Sequence, residues 1–153
     1  MIHDEIDRRL LAELQEEGRI TNVELAQRVG LTAPPCLRRV RALEERGAIR
    51  GYHADLDPAA LGFTITVFAM VSLKSQAEES LRAFEDQMAE LPEVRECHML
   101  NGEIDFIVKI VSRDLQSFQE FLTSKLTPTP NVGSVKTSLV IRSSKVKPGV
   151  PLE

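Results

Sequence analysis

The sequence predicts an α+β protein in two parts, on three observations. Helical periodicity with glycine-marked junctions runs up to Gly47, alternating and β-branched stretches follow it, and from Phe63 the elements fall in the order β-α-β-β-α-β. The first part is expected to be a three-helix helix-turn-helix domain of winged-helix-like type over residues 1–50, with its motif at about 22–41. A linker strand and turn at 51–62 lead to a ferredoxin-like domain at 63–142. The tail at 143–153, with two prolines and a glycine, is expected to be irregular or partly mobile.

The elements follow in order. Ile6, Leu10, Leu11 and Leu14 share a helix face between Asp4 and Glu17, and Gly18 stops that helix. Thr21-Asn22-Val23-Glu24 reads as a capping box that opens a second helix, ended by Gly30. Thr32 is the expected N-cap of a third helix, with Pro34 in its first turn, where a missing N–H costs nothing; Gly47 ends it. Ile49, Tyr52, Ala54 and Leu56 alternate as a short strand or hairpin, and Phe63–Leu73 is a β-branched strand. Glu78–Leu91 returns to helical period. Val94–Leu100 and Ile104–Val111 are expected strands joined by a tight turn at Asn101-Gly102. Asp114 caps a helix carrying Leu115, Phe118, Phe121, Leu122 and Leu126, and Val135, Thr137, Leu139 and Ile141 alternate as a last strand.

Composition narrows the class. With 42% hydrophobic and 27% charged residues, the chain of 153 residues is neither disordered nor fibrous. Its longest uncharged stretch, Pro58–Leu73, falls short of the roughly 20 apolar residues of a membrane span. The mixed charges of the N-terminus do not read as a signal peptide, so a cytoplasmic protein is expected, with Cys36 and Cys97 as reduced thiols. The net charge of −4 argues against nucleic acid until its distribution is considered. Residues 1–50 hold nine Arg and nine acids, but between Cys36 and Arg50 five Arg face only Glu44 and Glu45.

That excess sits on the expected third helix. At about 100° per residue, Leu37, Val40 and Leu43 form its inner stripe, with Cys36 beside it. Pro35, Arg38 and Ala42 point outward, flanked by Arg39 and Arg41. Ala26 serves as the small helix–helix contact and Gly30 as the turn, as a helix-turn-helix requires. Arg38 is placed to donate two bonds to a guanine edge, with Arg39 and Arg41 on the DNA backbone. Thr32, with the first-turn amides around Pro34 and Pro35, is placed to hold a phosphate. A single head offers little contact, so a symmetric dimer on a palindromic double-stranded operator is expected.

Residues 7–52, including GRITNVELAQRVGLTAPPCLRRVRALEERGAIRGY, resemble the N-terminal domain of the Lrp/AsnC (leucine-responsive, feast/famine) regulators. The β-α-β-β-α-β order resembles the effector and assembly domain of that family, and ECHMLNGEIDFIVKI is similar to its Gly-x-x-Asp-aromatic hairpin at Gly102, Asp105 and Phe106. Ile104 stands where the family often has an aromatic. The resemblance implies a transcription regulator that assembles through dimers into octamers or other higher oligomers. It also implies a small-molecule pocket between subunits, lined by the turn. Physically, the amides of Asn101, Gly102 and Glu103 suit a carboxylate, while Glu103 or Asp105 suits an ammonium, and an amino acid or related metabolite carries both. Thr137 and Ser138 add possible neutral partners.

Other chemistry is weakly supported. Adjacent side chains on a strand face opposite ways, so Cys97 and His98 do not chelate one ion, and His3 and His53 belong to the other part; no metal site is expected. No cofactor, phosphate loop or catalytic triad is legible, and no catalytic residue is assigned. Two alternatives remain: a dimeric α+β-barrel enzyme acting on a small molecule, which leaves the arginine face without a role, and a metabolite-binding module whose head docks protein. Sequence-specific DNA binding separates the regulator from both.

Overall fold

A computed structural model describes residues 4–152, so His3 and the last residue of the expected tail lie outside the described residues. The chain divides into two compact units. One gathers the residues up to Asp55 together with the segment from Lys145 onward, and the other is Leu56–Ser144.

In the first unit, helix α1 (Glu5–Glu16) starts where the Asp4 carboxylate accepts the Ile6 N–H at 2.7 Å. Helix α2 (Asn22–Val29) starts at Thr21, whose hydroxyl accepts the Glu24 N–H at 3.2 Å. The reciprocal half of that capping box is not made, because Glu24 turns to Arg28 at 2.9 Å instead. Gly30, at φ 77, lets the chain reverse, and the Leu31 N–H closes onto the Ala26 carbonyl at 2.8 Å. Helix α3 (Ala33–Glu45) follows directly. Leu10, Leu25, Ala26, Val29, Cys36 and Leu43 form the buried centre, and Ile49 packs on its edge.

The linker strand expected within 51–62 does not form. Residues 50–62 are exposed, with only a 3-10 turn at Ala59–Leu61, and none of them pairs in a ladder. Tyr52 and Leu56 are therefore exposed rather than half-packed. No wing ladder is present among the described residues of this unit.

The second unit is a four-stranded antiparallel sheet with helices on one face. Strands β1 (Ile65–Leu73), β2 (Val94–Met99), β3 (Phe106–Ser112) and β4 (Val132–Leu139) lie in the order β2-β3-β1-β4, the ferredoxin-like arrangement. Helix α4 (Glu78–Ala89) and helix α5 (Leu115–Phe121), which widens into a π-helical turn at Leu122–Leu126, cover the face bearing Val67, Ala69, Val71, Phe106, Val108 and Ile110. Phe84 of α4 meets Phe106 with ring centroids 4.6 Å apart. The opposite face carries Thr66, Phe68 and Met70 on β1 and Ile107, Lys109 and Val111 on β3, all partly exposed. No helix of this unit covers it.

Two strand boundaries differ from expectation. β3 begins at Phe106, not Ile104, and the β2–β3 connection is a loop over 100–105, not a tight Asn-Gly turn. The Leu100 N–H closes that loop on the Asp105 carbonyl at 2.8 Å, while the Asp105 N–H donates to Val71 of β1 at 3.0 Å. Asp105 is thus drawn to β1, which lengthens the loop. Ile141 lies beyond β4 and is 95% exposed, so the expected last strand ends two residues early.

Candidate functional sites

The arginine face of α3 comes from the helical register of its buried stripe. Cys36, Val40 and Leu43 are the buried residues, spaced i, i+4 and i+7, whereas Leu37 is 37% exposed at the rim. The stripe is centred closer to Cys36 than the sequence pattern suggested. The outward face rotates with it. Pro34, Arg38 and Arg41 are exposed, while Pro35 and Ala42 are half-buried on the flank. Arg38 and Arg41 make no ion pair among the described residues.

Arg39 has a different position. It is half-buried, and its guanidinium Nη1 donates to Asp4 at 2.7 Å and to buried Asp7 at 2.9 Å, both on the N-terminal end of α1. The Arg39 hydrogen bond holds the Asp4 carboxyl below its ordinary range, and the two carboxylates hold Arg39 above its own. The side chain expected on the DNA backbone is therefore occupied in bracing α3 against α1. A second brace runs from Asn22, whose amide donates to the Ala33 carbonyl at 2.9 Å and sets the start of α3 against α2.

Thr32 is the N-cap of α3, but its side chain makes no capping bond, and the residue is exposed. With Pro34 and Pro35 supplying no N–H, the free donors of the first turn are few. Thr32 is the exposed residue with a side-chain donor there.

In the second unit, the sequence-expected effector residues separate. Asn101, Gly102 and Glu103 are exposed at the tip of the β2–β3 loop, with Gly102 at φ 153. Asp105 is turned inward: its carboxylate accepts the Leu73 N–H at 2.7 Å and the Gln76 amide at 3.3 Å. Gln76 also donates to the Leu73 carbonyl at 2.8 Å, so it belongs to this cluster although nothing local in the sequence marks it. Asn131, at φ 73, completes the same sheet end with paired amide bonds to the Ser75 N–H and carbonyl, each 2.9 Å.

Thr137 and Ser138 are not brought to that loop. They pair with Ala69 and Phe68, on the other side of β1 from β3, and so lie two strands away from β3 and further along from the loop at its start. Being successive on β4, they also point to opposite faces of the sheet. Cys97 is half-buried and its thiol is pushed up to about 11 by burial, while His98 lies on the other side with Glu96 at 3.1 Å. Among the described residues no group of three or more metal-ligating side chains converges.

A helix-turn-helix unit with an arginine face, carried on a chain with a separate α/β sandwich, defines a DNA-binding regulator with its own ligand domain. The family models agree. The winged helix-turn-helix DNA-binding model matches residues 3–50, and the Lrp/AsnC ligand-binding-domain model matches 66–150. The chain belongs to the Lrp/AsnC family and is a DNA-binding transcriptional regulator, not an enzyme of the barrel type. It is 54% identical to a leucine-responsive regulatory protein of Rhizobium meliloti, over 93% of this chain and 91% of that one. It is 39% identical to the Bkd operon transcriptional regulator of Pseudomonas aeruginosa, over 97% of each. Its fold matches a Neisseria meningitidis transcriptional regulator solved with L-methionine at a TM-score of 0.93, with 34% identity over 99% of this chain and 97% of that one. No helix among the described residues is long and apolar enough to cross a membrane.

Proposed function

We propose that the outward face of α3 reads DNA in the major groove, with Arg38 on a base edge and Arg41 on a phosphate, and that Arg39 fixes the angle of the helix. The separation of Arg38 and Arg41 from the buried Cys36–Val40–Leu43 stripe carries this reading. Planar guanidinium groups suit both contacts. Thr32 and the start of α3, at Pro34 and Pro35, approach the backbone as a secondary contact.

The reader works as a homodimer. The partly exposed Phe68, Met70, Ile107 and Val111 make an apolar sheet face without a covering helix in their own unit, and a second copy of the same face suits it by two-fold symmetry. Two heads then meet two half-sites of a palindromic operator, and dimers associate further into octamers or another higher oligomer. The protein acts where the chromosome lies, in the cytoplasm.

The effector is an amino acid or a close relative. The exposed amides and Glu103 of the β2–β3 loop offer complementary groups for its carboxylate and ammonium. Asp105 contributes by holding the loop on β1. Thr137 and Ser138, distant from this loop within one chain, join it only from another copy. L-Leucine and L-methionine are the first probes, from the names of the relatives above.

The test is selection of binding sites from a random duplex library, followed by fluorescence anisotropy. The expected result is an enriched two-half-site sequence, bound at least about a thousandfold more tightly than scrambled duplex. Equal affinity for both duplexes overturns the reading. Sedimentation across protein concentration tests the dimer, and melting shifts with each of the twenty amino acids test the effector.

A further inference from the structure

The C-terminal segment is anchored on the helices of the first unit by a backbone clasp and one leucine. After β4 no regular element forms, and residues 141–151 are exposed. Yet the Gln15 side chain, near the end of α1, grips the Val150 backbone on both sides: Nε2 donates to the carbonyl at 2.7 Å, and the Val150 N–H donates to Oε1 at 2.9 Å. This pair imitates the bonds that a neighbouring strand would make. Gly149, at φ 73, brings the backbone so close that a Cβ there would collide with the Gln15 amide. Leu152 then packs against the cluster containing Leu10 and Leu11. Pro148 and Pro151 flank the grip and restrict the free segment, which lowers the entropy lost on docking.

This anchoring makes the first unit discontinuous in sequence. The chain leaves it after Asp55 and re-enters at Lys145. The second crossing starts at Val140, whose N–H is still held by the Thr66 carbonyl at 2.9 Å, and residues 141–149 span at most about 30 Å to the grip. A body on two chain crossings has fewer placements than a body on one. Two exposed hydrogen bonds and a half-buried leucine are few enough to open without unfolding the helices.

We propose that the C-terminal segment is a releasable strap, the second of two tethers on the DNA-binding head, closed by the clasp of Gln15 on Gly149-Val150. Closed, it restricts where the head is presented; open, the head swings on residues 50–64 alone. The strap starts at the end of β4, so a change in the ligand-binding unit reaches the head through it. The proposal rests on the reading of the head as a DNA reader.

The test uses the full-length protein, Gln15→Ala, Gly149→Val and a chain ending at Ser144. Each is titrated with the duplex selected by the wild type and with the same duplex carrying about five extra base pairs, half a helical turn, between half-sites. In the wild type the insertion weakens binding about 30-fold or more, and in all three variants about threefold or less. An equal penalty in wild type and variants, or none in the wild type, overturns the strap. Hydrogen exchange on the same proteins follows the segment directly. The amide of Val150 is protected in the wild type and exchanges freely in Gln15→Ala and Gly149→Val, while Leu10 and Leu11 stay protected. If the library yields no preferred duplex, the DNA reading fails, and exchange alone decides the strap: free exchange at Val150 in the wild type overturns it. Should Gln15→Ala unfold α1, Gly149→Val leaves the helices untouched and carries the comparison.

Discussion

Helix α3 and the β2–β3 loop, the two proposed sites, present their polar groups by different means. On α3 one element does everything: burial of Cys36, Val40 and Leu43 places Arg38 and Arg41 outward by helical geometry alone. In the loop, the arrangement depends on contacts far away in sequence, since Asp105 is held by Leu73 and Gln76. The contrast teaches that a site on a single helix tolerates changes elsewhere, whereas a site on a loop fails when its distant anchors do. Arg39 qualifies this, because its ion pairs to Asp4 and Asp7 make the helix itself depend on α1.

The largest expected effect breaks the helix side of the comparison. Arg38→Ala costs about 1–3 kcal/mol per half-site and flattens base preference at one position of each, measured by anisotropy on specific and scrambled duplexes. Unchanged preference would place the base contact elsewhere on α3.

On the loop side, Asp105→Ala leaves the Leu73 N–H without its acceptor and destabilises the second unit by about 1–3 kcal/mol. Urea unfolding measures it. Asp105→Asn, which keeps an acceptor oxygen, recovers part of the loss, while specific DNA binding by the still-folded head changes little. Gly102→Val meets no neighbour, so its cost is backbone strain alone, about 1–3 kcal/mol. It removes the melting shift produced by the effector, and a retained shift would move the pocket away from this loop.

Acid sharpens the role of Arg39. Asp4 has a folded-state pKa below its ordinary value, so its stabilising contribution is complete above the unfolded pKa and is lost as pH falls through the folded one. The head therefore loses stability below about pH 4 more steeply than Asp4→Asn does. Chemical unfolding at pH 7 and pH 3 checks the sign, which is the same for any ionic strength but smaller in high salt.

The N-terminal helices were legible because their signals are local: Asp4, Thr21 and Gly30 act within one turn of where they sit. The sandwich order was equally plain from periodicity. What was not legible depended on partners far off in the chain. The arginine face was rotated by one residue because Cys36, a small side chain, is the fully buried centre, and Leu37 lies at the rim. The ion pairs of Arg39 are not legible because nothing near it in sequence announces Asp4 and Asp7. The tight turn at Asn101-Gly102 gave way to a longer loop because Asp105 is pulled onto β1. The linker strand failed for want of a ladder partner, and the tail is irregular as expected, but its clasp is not legible because Gln15 and Val150 are 135 residues apart.

The most direct test of the division of labour on α3 is the salt dependence of specific DNA binding by Arg41→Ala and Arg39→Met, measured side by side from about 50 to 200 mM salt. Loss of a phosphate contact reduces the slope of log K against log salt by about one unit per contact, so Arg41→Ala gives a shallower line. Arg39→Met leaves the slope as it is and lowers the denaturant midpoint of the head instead, because Asp4 and Asp7 lose their shared partner. A shallower line for Arg39→Met with unchanged stability, and an unaltered line for Arg41→Ala, would contradict the account.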